Sequence, residues 1–200
     1  MSTTSDLPDQ LIRFVSRAER LESFPRSGWI ACGVDNPESV AAHVHGVALI
    51  AMWIGEHVDD DVDIERLLRI ALLHDIGEAL MTDLPWPVKR FVDPEAVNEG
   101  ESRAADTVLE DAPDTWREAV RAYSDLDGIE ARIVKAADRI QMLCKSMQYR
   151  SQNRGDVERF WDVDRNFKDY GIPLVREILD RLVDMHDEGE WFENGFDSWA

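Results

Sequence analysis

Lysine is scarce in this chain, with four residues against 18 arginines, 24 aspartates and 17 glutamates, for a net charge of −19. So acidic a surface repels polyphosphate chains and argues against a module that binds a nucleic acid polymer. A small nucleotide is still admitted, because a metal ion and one or two arginines reverse the field locally. Ordinary solubility is one account of the charge. The Asp excess with Lys depletion favours another, a halophilic protein of a salt-rich cytoplasm, where screening relieves self-repulsion. Cysteine is scarcer still. Cys32 and Cys144 are isolated and form no CxxC, so neither a disulfide framework nor a thiolate zinc site is indicated. Both read as small core residues in a reducing cytoplasm. The opening MSTTSDLPDQ lacks the basic and apolar regions of a secretory signal. The longest stretch without an acid or base, Val40 to Gly55, is shorter than the ~20 residues a membrane span needs. It reads as a buried core helix, and no membrane partner is expected.

Repeats, low-complexity tracts, Gly/Ser linkers and strand-like alternation are also missing, so residues 1–200 are expected to form one all-α domain. With 44% hydrophobic residues and seven Trp, the chain can bury a real core. Leu7 to Leu21 carries Leu11, Ile12, Phe14, Val15 and Ala18 on one helical stripe. Asn36-Pro37-Glu38 reads as a helix start, with a capping Asn and Pro in the first turn, for a helix running to about His57. A further helix is expected from Ile64 to about Leu80, stopped by Asp83-Leu84-Pro85-Trp86-Pro87. The remaining helices are expected at about 95–110, 115–124, 128–150 and 173–187.

Leu72-Leu73-His74-Asp75-Ile76-Gly77-Glu78 is the most informative segment. An ionised Asp beside a His in an apolar helix costs several kcal/mol unless both are paired. A hydrogen-bonded core pair is one solution; a divalent cation is the other, since imidazole and carboxylate suit first-row ions. Glu78, four residues after His74 and three after Asp75, would share their face of a continuous helix. Two more polar residues sit in apolar helical patterns, His43 after Val40-Ala41-Ala42 and Asp138 after Ala136-Ala137. His45, two residues beyond His43, would point to nearly the opposite side and reads as a core or interface residue.

The order H…HD…D with these flanks resembles the signature of the HD superfamily of metal-dependent phosphohydrolases. Asp83-Leu84-Pro85-Trp86-Pro87-Val88-Lys89 is similar to the GDLPTPVK-type segment of the bacterial 5′-deoxynucleotidases. Arg26-Ser27-Gly28-Trp29 resembles the RTGW element of HD-domain-containing 5′-nucleotidases. The motif-bearing core is about 10–150; residues 151–200 carry no matching motif and are assigned to the same domain.

The resemblance implies an HD-type helical bundle whose metal ligands are His43, His74, Asp75 and Asp138. The ion would be a divalent cation, with Co, Mn, Mg, Zn, Ni and Fe all open. It implies Glu78 and Asp83 as catalytic carboxylates, the first handling a proton and the second orienting the nucleophilic water or helping to position substrate. The alternatives are a surface acid for Glu78 and a turn or capping residue for Asp83. Arg26 resembles the family's phosphate clamp, suited by its planar guanidinium. Trp29 resembles the aromatic that packs on sugar or base, with core packing as its alternative. In the bacterial 5′-deoxynucleotidases that Arg and Trp are adjacent, whereas Ser27 and Gly28 separate them here. Lys89 and Lys135 stand out because Lys is scarce and are assigned to substrate binding; Lys135, one turn before Asp138, would touch phosphate or else pair with the ligand carboxylates. The expected activity is release of phosphate from (deoxy)nucleoside 5′-monophosphates by a cytoplasmic homodimer. The alternatives are a triphosphate phosphohydrolase using the same site and a catalytically silent nucleotide-binding sensor.

Overall fold

A computed structural model describes residues 6–191, apart from the side chains of Pro87 and Lys89. Among the described residues the chain is all-α, as expected, with a single isolated bridge between Pro25 and Ser39. The centre is made by α4 (Val40–Gly55), α5 (Ile64–Leu73) and α10 (Gly128–Ser151), with α9 (Asp114–Asp125) packed on α5 and α10. Val47, Ala51 and Ile54 of α4 meet a core that includes Leu67 and Ile70 of α5 and Ile133, Ala137 and Leu143 of α10. All of these side chains are inaccessible to solvent, and each large one contributes roughly 1.5–3 kcal/mol of burial. On the outside lie α1 (Leu7–Ala18), α2 (Arg20–Ser23), α6 (Glu78–Met81), α7 (Trp86–Lys89), α8 (Pro94–Val108) and α11 (Pro173–Glu188). Val175, Leu179 and Leu182 of α11 join the same core. A short α3 (Ser27–Ala31) lies between α2 and α4.

Four local expectations change. The helix bearing His43 starts at Ser39, whose hydroxyl accepts the Ala42 N–H, and not at Asn36. Hydrogen bonds from Arg26 N–H to the Glu38 carbonyl and from Val40 N–H to the Phe24 carbonyl hold residues 38–40 against the preceding segment. Asn36 itself takes a left-handed conformation at φ 48°, which Asn tolerates better than most residues.

The helix expected from Ile64 to Leu80 breaks after Leu73 into a turn at 74–77, and α6 follows. The bonds there run i+3 to i, from Ile76 N–H to Leu73, Glu78 N–H to Asp75 and Ala79 N–H to Ile76. This tighter winding turns each residue by about 120° and re-aims the side chains. His74 and Asp75 therefore project from the end of α5, and the common helix face that would have joined them to Glu78 is absent.

His45 is exposed and so is not a core residue. No residue of α1 is buried, although Phe14 packs edge-on against Trp116 with ring centres 5.1 Å apart. Leu11 and Ile12 face solvent at 62% and 65% exposure, and of the two helices at this end only Leu21, in α2, is buried. Among the described residues no helix is long and apolar enough to cross a membrane.

Candidate metal centre and active site

His43, in the first turn of α4, is buried to 1% exposure. Its Nδ1 is 2.7 Å from Gln141 Oε1 on α10. Its Nε2 faces two carboxylates, Asp75 Oδ2 at 3.6 Å and Asp138 Oδ1 at 3.4 Å. His74 caps the C-terminus of α5, and its Nδ1 lies 2.7 Å from the Ala71 carbonyl. That carbonyl is one of the last four of the helix, which have no partner in the helical ladder. His74 Nε2 is 3.3 Å from Asp75 Oδ2.

Both Nε2 atoms are buried without a hydrogen-bond partner. A carbonyl oxygen can only accept, so each Nδ1 carries its ring proton and, in the neutral ring, each Nε2 keeps a lone pair. Two imidazole lone pairs beside ionised carboxylates repel one another unless a cation lies between them. One ligand atom from each of His43, His74 and Asp75 falls within 4.8 Å of the others. Asp138 lies outside that tightest group and adjoins it through His43. The donor set fits a divalent cation.

The surrounding charges hold both carboxylates ionised. Burial pushes the Asp75 carboxyl up, but the positive charge around it, Arg26 included, holds it well below the usual carboxylate range. Asp138 is likewise held low against burial, by the Arg139 charge beside it. Tyr123 on α9 donates its hydroxyl to Asp138 Oδ2 at 3.1 Å. Burial and the Asp138 charge push that phenol well above its ordinary value, so it remains a donor.

Beside the carboxylates opens a cleft of about 540 Å³. Arg26 stands in it, 3.1 Å from Asp75, 3.7 Å from Glu78 and 3.6 Å from Asp83. Burial opposes its charge, but Asp83, Asp75 and Glu78 raise the guanidinium further above its ordinary value. Asp83 also accepts the Ser27 N–H at 2.9 Å, tying the turn after α6 to the start of α3. Lys135 lines the cleft with its ammonium 3.7 Å from the Tyr123 ring centre, where burial lowers its pKa and Asp138 partly restores it. Arg139 and Arg121 add positive charge to the lining.

Eight of the residues singled out in the sequence are thus brought together, and Trp29 is not. It is 3% exposed, packs on Phe160 and Tyr149, and donates Nε1–H to Glu38 at 3.0 Å. A side chain so enclosed cannot lie against a sugar, so its core-packing alternative holds. Gly28, with only the tip of Phe160 within 4 Å of where a Cβ would sit, is part of the spacer that carries Trp29 into α3 and away from Arg26. The Lys89 side chain lies outside the described residues.

Gln141, Tyr123 and Arg139 were missed in the sequence. Gln141 had a faint signal, as a polar residue three positions after Asp138 in an otherwise apolar stripe.

A family model described as HD domain matches residues 18–170. The chain is 28% identical over 160 residues to the mouse 5′-deoxynucleotidase HDDC2, across 76% of this chain and 77% of that protein. It is 27% identical over 187 residues to the 5′-deoxynucleotidase HDDC2 of Dictyostelium discoideum, across 86% and 95% respectively. A conserved hypothetical protein from Pyrococcus furiosus superposes with a TM-score of 0.74 at 31% identity, covering 86% of this chain and 99% of its own. With its His and Asp pairs gathered at the end of α5, the chain belongs to the HD-domain family.

Proposed function

We propose that this HD-domain chain is a metal-dependent 5′-nucleotidase that releases phosphate from deoxynucleoside 5′-monophosphates. The observation that carries it is the pair of buried His43 and His74 Nε2 atoms facing ionised carboxylates beside a cleft into which Arg26, Lys135 and Arg139 bring positive charge. The 5′-deoxynucleotidase relatives support the substrate class and disfavour both a triphosphate hydrolase and a silent sensor.

His43, His74, Asp75 and Asp138 would hold the divalent cation, which supplies Lewis acidity to the phosphoryl group and to the attacking water. Arg26 binds the phosphate in place, its guanidinium offering parallel donors that fit phosphate oxygens. Lys135 and Arg139 offset the remaining phosphate charge on the α10 side. Glu78 takes a proton from the water or returns one to the leaving oxygen. Asp83 holds Arg26 and the Ser27 backbone through Oδ2, which leaves its other oxygen to orient the water or position substrate. Deoxyribose preference rests on the relatives, since Trp29 is enclosed in the core. A cytoplasmic homodimer belongs to the same reading, and sedimentation equilibrium tests the dimer.

The test is phosphate release from paired deoxy- and ribonucleoside monophosphates, and from triphosphates, with several divalent metals. Turnover of deoxynucleoside monophosphates in preference to both others is expected. Equal rates on the two sugars would remove the deoxy assignment, and preference for triphosphates would remove the monoesterase.

A further inference from the structure

The Glu38 carboxylate is buried, its side chain 6% exposed, one residue before the Ser39 cap of α4. Its oxygens divide their partners. Oε1 accepts Trp29 Nε1–H at 3.0 Å. Oε2 accepts Gln141 Nε2–H at 2.9 Å and lies 3.6 Å from the Lys145 ammonium. The backbone N–H of Glu38 donates to the Tyr149 hydroxyl at 2.8 Å, which anchors the residue to the far half of α10. Nothing in the proposed chemistry uses this acid. It does not line the cleft.

We propose that Glu38 is a positioning residue that sets the tautomer of His43 through the Gln141 amide, and thereby decides whether His43 can bind a metal. The inference rests on the ligand set proposed above. A carboxylate offers only acceptors, so Gln141 must turn its NH₂ towards Glu38 and its Oε1 towards His43. Facing that carbonyl oxygen at 2.7 Å, His43 Nδ1 must carry the proton. Nε2 is then left with its lone pair aimed at Asp75 and Asp138.

His74 has no such dependence, since a backbone carbonyl cannot turn over. His43 is exposed to error because a side-chain amide fits either way round in shape and differs only in its donors. Gly46 makes the relay possible. A Cβ there would sit 3.1 Å from Gln141 Cγ and 3.4 Å from Nε2, so a bare Cα lets the amide pass between α4 and α10.

The deciding variant is Glu38→Gln, which keeps shape and removes only the acceptor-only character. Trp29 Nε1–H can only donate, so the introduced amide would present its oxygen there and its NH₂ to Gln141. The Gln141 amide would then turn over and offer its NH₂ to His43 Nδ1. The ring proton would move to Nε2, where it blocks the metal. Outer partners of metal ligands are typically worth about 10- to 100-fold in affinity, and a loss in that range is expected for Mn²⁺ and Co²⁺ by titration calorimetry. Nitrogen-15 shifts of the His43 ring in the metal-free protein should report a change from the Nδ1–H to the Nε2–H form.

The double variant Glu38→Gln with Gln141→Glu should restore both readouts. A carboxylate at position 141 accepts from the introduced amide and from His43 Nδ1–H alike. Wild-type affinity and an unchanged tautomer in Glu38→Gln overturn the proposal. So does a double variant that folds, by its circular dichroism, yet stays weak. Failure of the ligand set is distinguishable. There, wild type and His43→Ala bind metal equally, while the ring shifts still report whether Glu38 controls the tautomer.

Discussion

Arg26 and Asp75, 49 positions apart in sequence, meet at 3.1 Å at the mouth of the metal centre. The same guanidinium lies within 3.7 Å of Glu78 and Asp83, so one cation balances three acids and still faces the cleft. Arg26→Ala should reduce kcat/KM for a deoxynucleoside monophosphate by about 10²–10³-fold, the usual cost of one lost electrostatic contact in a transition state. Arg26→Lys should recover only part of it, because an ammonium lacks the planar pair of donors. Steady-state kinetics on both variants decide the matter, and an unchanged kcat/KM in the alanine variant would remove Arg26 from the phosphate.

Glu78 lines the cleft and lies 3.7 Å from Arg26, yet it is outside the cluster of metal-binding atoms. Glu78→Ala should therefore retain bound metal while turnover falls by on the order of 10²-fold or more. Metal content by atomic emission and kcat are the two measurements. A change confined to KM would make Glu78 a binding residue instead.

Gly77 is needed for space. A Cβ there would come within 2.8 Å of the Glu101 carbonyl and 3.2 Å of the Ala105 nitrogen, both backbone atoms of α8. Gly77→Ala should lower stability by about 1–3 kcal/mol, as overpacking against a fixed neighbour does. Gly46→Ala is the contrasting case, because its neighbour is the movable Gln141 side chain. There a near-wild-type thermal midpoint with weakened metal binding is expected. A Gly77→Ala protein that melts like wild type would show that α8 yields.

Forty-one acids on 200 residues repel one another at low ionic strength. Molar potassium chloride shortens the screening length to a few Å, so the thermal midpoint should rise with salt. A midpoint that stays flat or falls would sink the halophilic reading.

Burial pushes the Cys144 thiol up to about 11 and raises Cys32 as well. The reactive thiolate is thus populated at only about 10⁻³ for Cys144 at pH 8. Folded protein should resist iodoacetamide at that pH, and denatured protein should take up two labels. Rapid labelling of the folded form would contradict the burial of Cys32 and the raised thiol of the partly buried Cys144.

Residue type and helical period drew attention to His43, His74, Asp75 and Asp138 as polar side chains in apolar helices, and the H…HD…D resemblance assigned them to a metal. The uninterrupted run of α10 and the all-α class were legible too, since both are local patterns. The break after Leu73 was not, because the i+3 winding is accompanied by Gly77 docking against the α8 backbone, and α8 begins 17 residues later in the chain. Nor was the start of α4, which is set by bonds to Phe24 and Arg26. Trp29 had the right neighbours for a substrate contact, and the direction of α3 took it into the core. The Glu38–Gln141–His43 chain joins residues 98 and 103 positions apart. A sequence determines which donors and acceptors exist. Which one faces which depends on two helices meeting at a glycine, and only packing at a distance decides that.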